Sequence, residues 1–304
     1  MTSINQKLTH SFNGLSWLRR ASLGLLAGAI VLPQAAHAQA AREPAQAPAQ
    51  RAPGGATYAD LVTLAEASGM VVRAQIRRQT EVAPERAPGL APGHARLYVQ
   101  AQTQALISGR SAVGEDLVYL IDLPRDAKGK PPRLKDRTVL LFANNAGLGP
   151  KGATQLQLAG NNAQLEYSPA LETRLRPILS ELVAGDPPPV ITGIKDALAV
   201  PGTLAGESET QIFLETRSGA PVSITVLRRP SQEPVWGVSW GEIIDSSASA
   251  PQRETLRWYR LACALPDELP SSANLSREAD VRALAARDYA FVRSQLGQCA
   301  RALT

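Results

Sequence analysis

Gly237-Val238-Ser239-Trp240-Gly241 has the G-x-S-x-G spacing that, in serine hydrolases, holds a nucleophilic serine on a sharp strand-to-helix turn. Such a serine needs an imidazole to take its proton. The chain's three histidines are His10, His37 and His94, so none follows Ser239. Glu242-Ile243-Ile244 continues a strand alternation where the elbow would open a helix. The expectation is therefore a bare strand face, with Gly237, Ser239 and Gly241 allowing close packing.

Gly147-x-Gly149-x-x-Gly152 matches the dinucleotide fingerprint and follows a strand-like run. That fingerprint works because a helix N-terminus next receives the pyrophosphate. Here Pro150 sits inside the turn and residues 153–158 alternate like a strand, so a loop is expected. Asp122, Asp126 and Asp136 fit no loop of alternating oxygen ligands; Asp122 is expected at a strand end beside Lys or Arg. No residue is therefore expected to serve catalysis, cofactor binding or metal binding. Trp236 and Trp240 share one strand face with Val238 between them. Exposed, they would form a stacking platform for a sugar or peptide; covered by helices they belong to the core, which is the favoured reading.

Cys263 and Cys299 are the only cysteines. In an oxidising compartment a pair with no leftovers reads as a disulfide. Both are expected near the C-terminal ends of successive helices, which would lie far apart in a simple antiparallel hairpin. The bond therefore requires the connection over residues 266–275 to let the second helix run back across the first, or its last turns to bend.

The elements that would position these residues start with a short helix after Thr57, whose spacing to Asp60 suits a capping box. A strand over residues 70–78 follows. The clearest strand pair covers residues 95–124. Leu97, Val99, Ala101, Thr103, Ala105 and Ile107 alternate with polar residues, whereas residues 116–123 (DLVYLIDL) are apolar on both faces, as a strand covered on both sides would be. Its length demands bending. With further strands at 138–143, 154–158 and 164–167, the segment over residues 61–167 resembles an OB-type small barrel in strand order and length. Ser168-Pro169 starts a helix with Pro177 inside it, and residues 185–189 (GDPPP) are the sharpest stop in the chain. Strands at 210–216, 221–228 and 235–244 then form a meander, followed by helices at 252–265 and 276–303. The expected fold is α+β: a small curved antiparallel barrel, then a three-stranded meander covered by two C-terminal helices. The expected divisions are a barrel-like domain at 57–186 and a meander-plus-helix domain at 190–304.

Ahead of these, Lys7, Arg19 and Arg20, an apolar core at 21–31 and Ala36-His37-Ala38 make a signal peptide cut after Ala38. Arg19-Arg20 with Leu23 resembles a twin-arginine signal, although Ser22 stands where a bulky residue is usual, so the general export route is favoured. Residues 39–56, rich in Ala, Pro and Gln, read as a disordered tether. Cleavage leaves 29 basic against 27 acidic residues, a net charge of +2, with no basic stripe interleaved with aromatics; nucleic acid is not an expected partner. No transmembrane segment is expected in the mature chain.

On its export signal the chain resembles the exported proteins of Gram-negative bacteria. That resemblance implies a periplasmic location. The leading expectation is a non-enzymatic protein that binds an envelope protein or glycan or acts in envelope maintenance. A hydrolase of envelope glycans or peptides working through carboxylates, and a glycan-binding module, are the alternatives.

Overall fold

The computed structural model describes residues 55–241 and 248–303. The signal peptide, the tether up to residue 54 and Glu242-Ile243-Ile244 lie outside the described residues. Helix α1 (Tyr58–Ala67) begins with the expected capping box: Asp60 N–H donates to Thr57 Oγ1 and Thr57 N–H donates back to Asp60 Oδ2. Both donors would otherwise be orphaned at the helix start.

Strands β1 (Met70–Glu81), β2 (His94–Gly109), β3 (Asp116–Pro124), β4 (Thr138–Leu148) and β5 (Thr154–Leu158) form a closed barrel. Its pairings run β1 to β2, β2 to β3, β3 to β5 in parallel, β5 to β4, and β4 back to β1. Closure removes free edges. The long β1–β2 pair is bent by register shifts at Val71/Val72, Arg73/Ala74 and Ile76/Arg78, which supply the curvature that closure needs. Alternate residues fill the interior, among them Val72, Ile76, Leu97, Val99, Tyr119 and Leu141. Leu134, from the loop joining β3 to β4, plugs one end.

Strand β6 (Gln164–Glu166) adds to β4 outside the barrel, and helix α2 (Pro169–Leu182) follows, capped by Ser168, whose Oγ accepts from Leu171 N–H. A second antiparallel sheet comes next: β7 (Ile191–Pro201), β8 (Ser208–Thr216), β9 (Val222–Arg228) and β10 (Val235–Ser239), in the order β10-β9-β8-β7. It has four strands where the sequence suggested three. Strand β7 escapes notice because register shifts at Ile191/Gly193 and Ile194/Asp196 break its alternation, and Ala197 and Ala199, weak strand formers, supply its buried face. Its outer edge is covered: Ala197 N–H donates to Ala273 O (2.7 Å) and Leu275 N–H to Ala197 O (3.0 Å).

Helices α3 (Leu256–Ala262) and α4 (Ala279–Leu296) are shorter than their periodicity suggested. Thr255 caps α3, its Oγ1 accepting from Trp258 N–H, and Gly297 stops α4 at φ +69°, a conformation glycine adopts without strain. One apolar core then runs from the barrel's outer face (Val71, Leu140, Phe142) and Leu165 of β6 through α1 and α2 to the inner face of the second sheet (Ile212, Ile224, Val226) and to α3 and α4. It crosses the proline-rich stop at 185–189, which marks a change of architecture. Buried charges are matched within it. Arg228 Nε donates to Asp288 Oδ1 (2.5 Å), Thr210 Oγ1 donates to Asp288 Oδ2, and Arg260 pairs with Glu66 (2.6 Å).

Cys263 and Cys299 form the disulfide, with Cα atoms 5.0 Å apart. The expected tension is resolved by the connection between the helices. Residues 264–278 run out past the edge of β7, and α4 returns over about 27 Å at 1.5 Å per residue, bringing its C-terminal end back to α3. Trp258 Nε1 donates to Leu296 O (2.9 Å), and an Arg293 guanidinium nitrogen donates to Ala262 O (3.2 Å). Beyond the bond, residues 300–303 lie along α1: Ala302 N–H donates to Asp60 Oδ2 (2.9 Å), and Asn162 Nδ2 donates to Leu303 O (2.7 Å).

Candidate functional site

Because the barrel interior takes one set of alternating residues on β2 and β3, the other set faces outward. Strand registers align that outer set into rungs. Arg78, Gln100, Val118 and Gln155 form one rung; Thr80, Tyr98 and Leu120 form the next; Arg96 and Asp122 form the third. Together with Gln157 they floor a groove of about 1100 Å³.

Two loops wall the groove. The first joins β1 to β2 and contributes Val82, Ala83 and Arg86. Arg96 fixes it, donating from Nε and Nη2 to both carboxylate oxygens of Asp122 (2.7 Å each) and from Nη1 to Pro88 O (3.1 Å). That paired hydrogen bond from Arg96 is the main reason Asp122 titrates below the ordinary carboxylate range, against the opposing effect of its partial burial. Asp122 is thus at a strand end beside an arginine, as expected. The second wall comes from the loop joining β4 to β5, where Pro150 lines the groove, and from Gly160 and Asn161 further on. Gly149 lets this loop cross β3, since a Cβ there would lie 2.7 Å from Val118 Cγ2.

Leu120 is the anomaly on this floor. It is 50% exposed, between the buried Tyr119 and Ile121, while Val118 lies under the crossing loop at 5%. The apolar run in β3 is therefore covered on both faces at Val118 but open at Leu120, which corrects the expectation of a strand covered throughout. Tyr98 stands directly across from Leu120 and is half-buried, so an aromatic ring and an aliphatic side chain form a small apolar platform flanked by Gln100, Gln155 and Gln157.

Most of the residues singled out in the sequence lie away from this platform. Ser239 is buried at the end of β10, paired in register with Ser223. A Cβ on Gly237 would collide with Ala248 O at 2.0 Å, so that glycine does serve close packing. Gly147 lies near the end of β4, Gly149 and Gly152 belong to the β4–β5 loop, and β5 follows them where a phosphate site would need a helix. Asp126 caps its own turn, accepting from Lys128 and Lys130 N–H, and no group of three metal-ligating side chains occurs among the described residues. Trp236 and Trp240 are half-buried against the shared core, with the Arg257 guanidinium 5.7 Å from the Trp240 ring centroid. Cys263 and Cys299 are joined, as described. The groove itself was not singled out from sequence, although its signal was present: one leucine too many in β3, opposite a tyrosine, in a strand whose neighbour β2 alternates cleanly.

No protein-family model matches the chain, and no curated protein sequence is significantly similar to it.

Proposed function

We propose that the protein is a non-catalytic binding protein of the bacterial envelope, which holds an extended polar ligand, a glycan strand or a segment of an envelope protein, across the outer face of β2, β3 and β5. The observation that carries this reading is the open Tyr98/Leu120 platform. An apolar surface left uncovered in the middle of a groove, with amide side chains around it, suits a ligand that is itself part apolar and part hydrogen-bonding.

The groove's two carboxylates support binding over catalysis. Glu81 is paired with Arg125 and Asp122 with Arg96. A carboxyl group acting as general acid needs a raised pKa, and that of Asp122 is lowered. Export from the cytoplasm is part of the proposal; the disulfide is consistent with an oxidising compartment. The mature N-terminus should be Gln39, which N-terminal sequencing of periplasmic protein would establish, and an intact Met1 chain in the membrane fraction would refute.

Hydrogen-exchange footprinting of the mature chain with a soluble extract of envelope polymers tests the binding site. Slowed exchange over residues 96–100, 118–122 and 155–157 is expected. Protection confined to the second sheet would defeat the reading.

A further inference from the structure

The loop joining β3 to β4, residues 125–137, holds six basic residues and two acidic ones. It is a built platform. Leu134 is buried in the barrel core, Leu134 N–H donates to Gln79 Oε1 (2.5 Å), Gln79 Nε2 donates to Pro132 O (2.8 Å), and Asp136 and Arg137 bond the backbone of Ile76. Two of its cations are neutralised, Arg125 by Glu81 and Arg137 by Glu166. The other four, Lys128, Lys130, Arg133 and Lys135, are exposed and form no ion pair among the described residues. Asp126 has turned its carboxylate onto the backbone of its own turn.

Arg125 ties this loop to the β1–β2 loop that walls the groove. Arg125 N–H donates to Gly93 O (2.8 Å), and the Arg125 guanidinium reaches Glu81, which lines the groove. Arg78 and Arg86, also exposed and without an ion pair among the described residues, carry positive charge onto the groove itself. With Glu81 and Asp122 each paired to an arginine, Arg78 on the first rung and Arg86 on the wall leave the groove net positive, which attracts an anionic chain.

Building on the groove reading above, we propose that the ligand is an anionic glycan, with sugar rings on the Tyr98/Leu120 platform and carboxylate or phosphate groups at Arg78, Arg86 and the four free cations of the loop. The unpaired cations in the groove itself, Arg78 and Arg86, favour a strand lying in it over a flat membrane, which would touch the loop alone.

Equilibrium binding of the mature chain to polygalacturonate, to uncharged dextran and to phosphatidylglycerol vesicles tests this. Two variants are needed: the quadruple Lys128→Gln/Lys130→Gln/Arg133→Gln/Lys135→Gln, whose sites are exposed, and Leu120→Ser. Polygalacturonate should bind in preference to dextran and weaken as salt is raised. The quadruple variant should bind it roughly tenfold or more weakly, and Leu120→Ser should weaken it as well. Equal affinity for dextran, or an unaffected quadruple variant, overturns the anionic ligand; loss of binding by Leu120→Ser alone would then leave the groove reading standing. Preference for vesicles, unaffected by Leu120→Ser, overturns both.

Discussion

The barrel closes its strands on themselves, β4 returning to β1, whereas the four-stranded sheet stays open, with α4 across its inner face and residues 273–275 along the edge of β7. A closed barrel satisfies its backbone internally and packs its own core, so part of its outer face remains free to bind. The open sheet needs covering elements, and those elements are held by a disulfide, a buried ion pair and a C-terminal strap. One half of the molecule is stabilised by topology; the other depends on fasteners.

Removing a fastener should separate the two. Replacing both Cys263 and Cys299 with Ser frees a loop of 36 residues' separation and should cost about 4 kcal/mol on the chain-entropy model. Thermal melts with and without reductant measure the loss, and hydrogen exchange should rise first in α3, α4 and the tail. Equal acceleration in the barrel strands would contradict the division. Arg228→Met strands the fully buried Asp288 carboxylate without its cation and should cost about 3 kcal/mol, read by denaturant titration. On the barrel side, Leu97→Ala opens a cavity where exposure is 0%, costing about 2–3 kcal/mol. Its effect on exchange should be confined to β1, β2 and β3.

Smaller effects sharpen the contrast. Thr57→Ala removes the capping box that starts α1 and should cost about 1 kcal/mol, seen as a shift in denaturant midpoint. The pH dependence rests on Asp122 and Glu172. Burial raises Glu172, but hydrogen bonding and charge from Arg176 together with Arg73 outweigh it, so both carboxyls titrate below their ordinary values. A lowered folded-state pKa stabilises fully above the unfolded value, about 4, and the stabilisation is lost as pH falls through the folded one. Melting temperature should therefore drop below about pH 4, and Asp122→Asn should make that drop shallower.

Much of the barrel could be read from the chain because its signals are local: a capping box at Thr57, alternation from Leu97 to Ala101, Ser168-Pro169 opening a helix. Strand β7 could not, since its two register shifts and its alanines remove both alternation and propensity. The helix ends were misplaced for a similar reason, as a stop by Gly297 or a late cap at Thr255 interrupts a periodic pattern that continues in sequence. The groove is a tertiary object. Leu120 looks like core in a run of apolar residues, and only the path of the β4–β5 loop, which covers Val118 and stops short of Leu120, leaves it open. The disulfide was legible in composition, while its geometry depended on how far residues 264–278 travel.

Photo-crosslinking in living cells tests most directly whether the barrel face is the binding surface. A benzophenone side chain placed at Leu120 is compared with one at Leu204, a somewhat more open position in the β7–β8 loop of the second sheet, 61% exposed. A discrete adduct from position 120, absent at 204 and abolished by the neighbouring change Tyr98→Ala, is the predicted result. Adducts from 204 with none from 120 would contradict it.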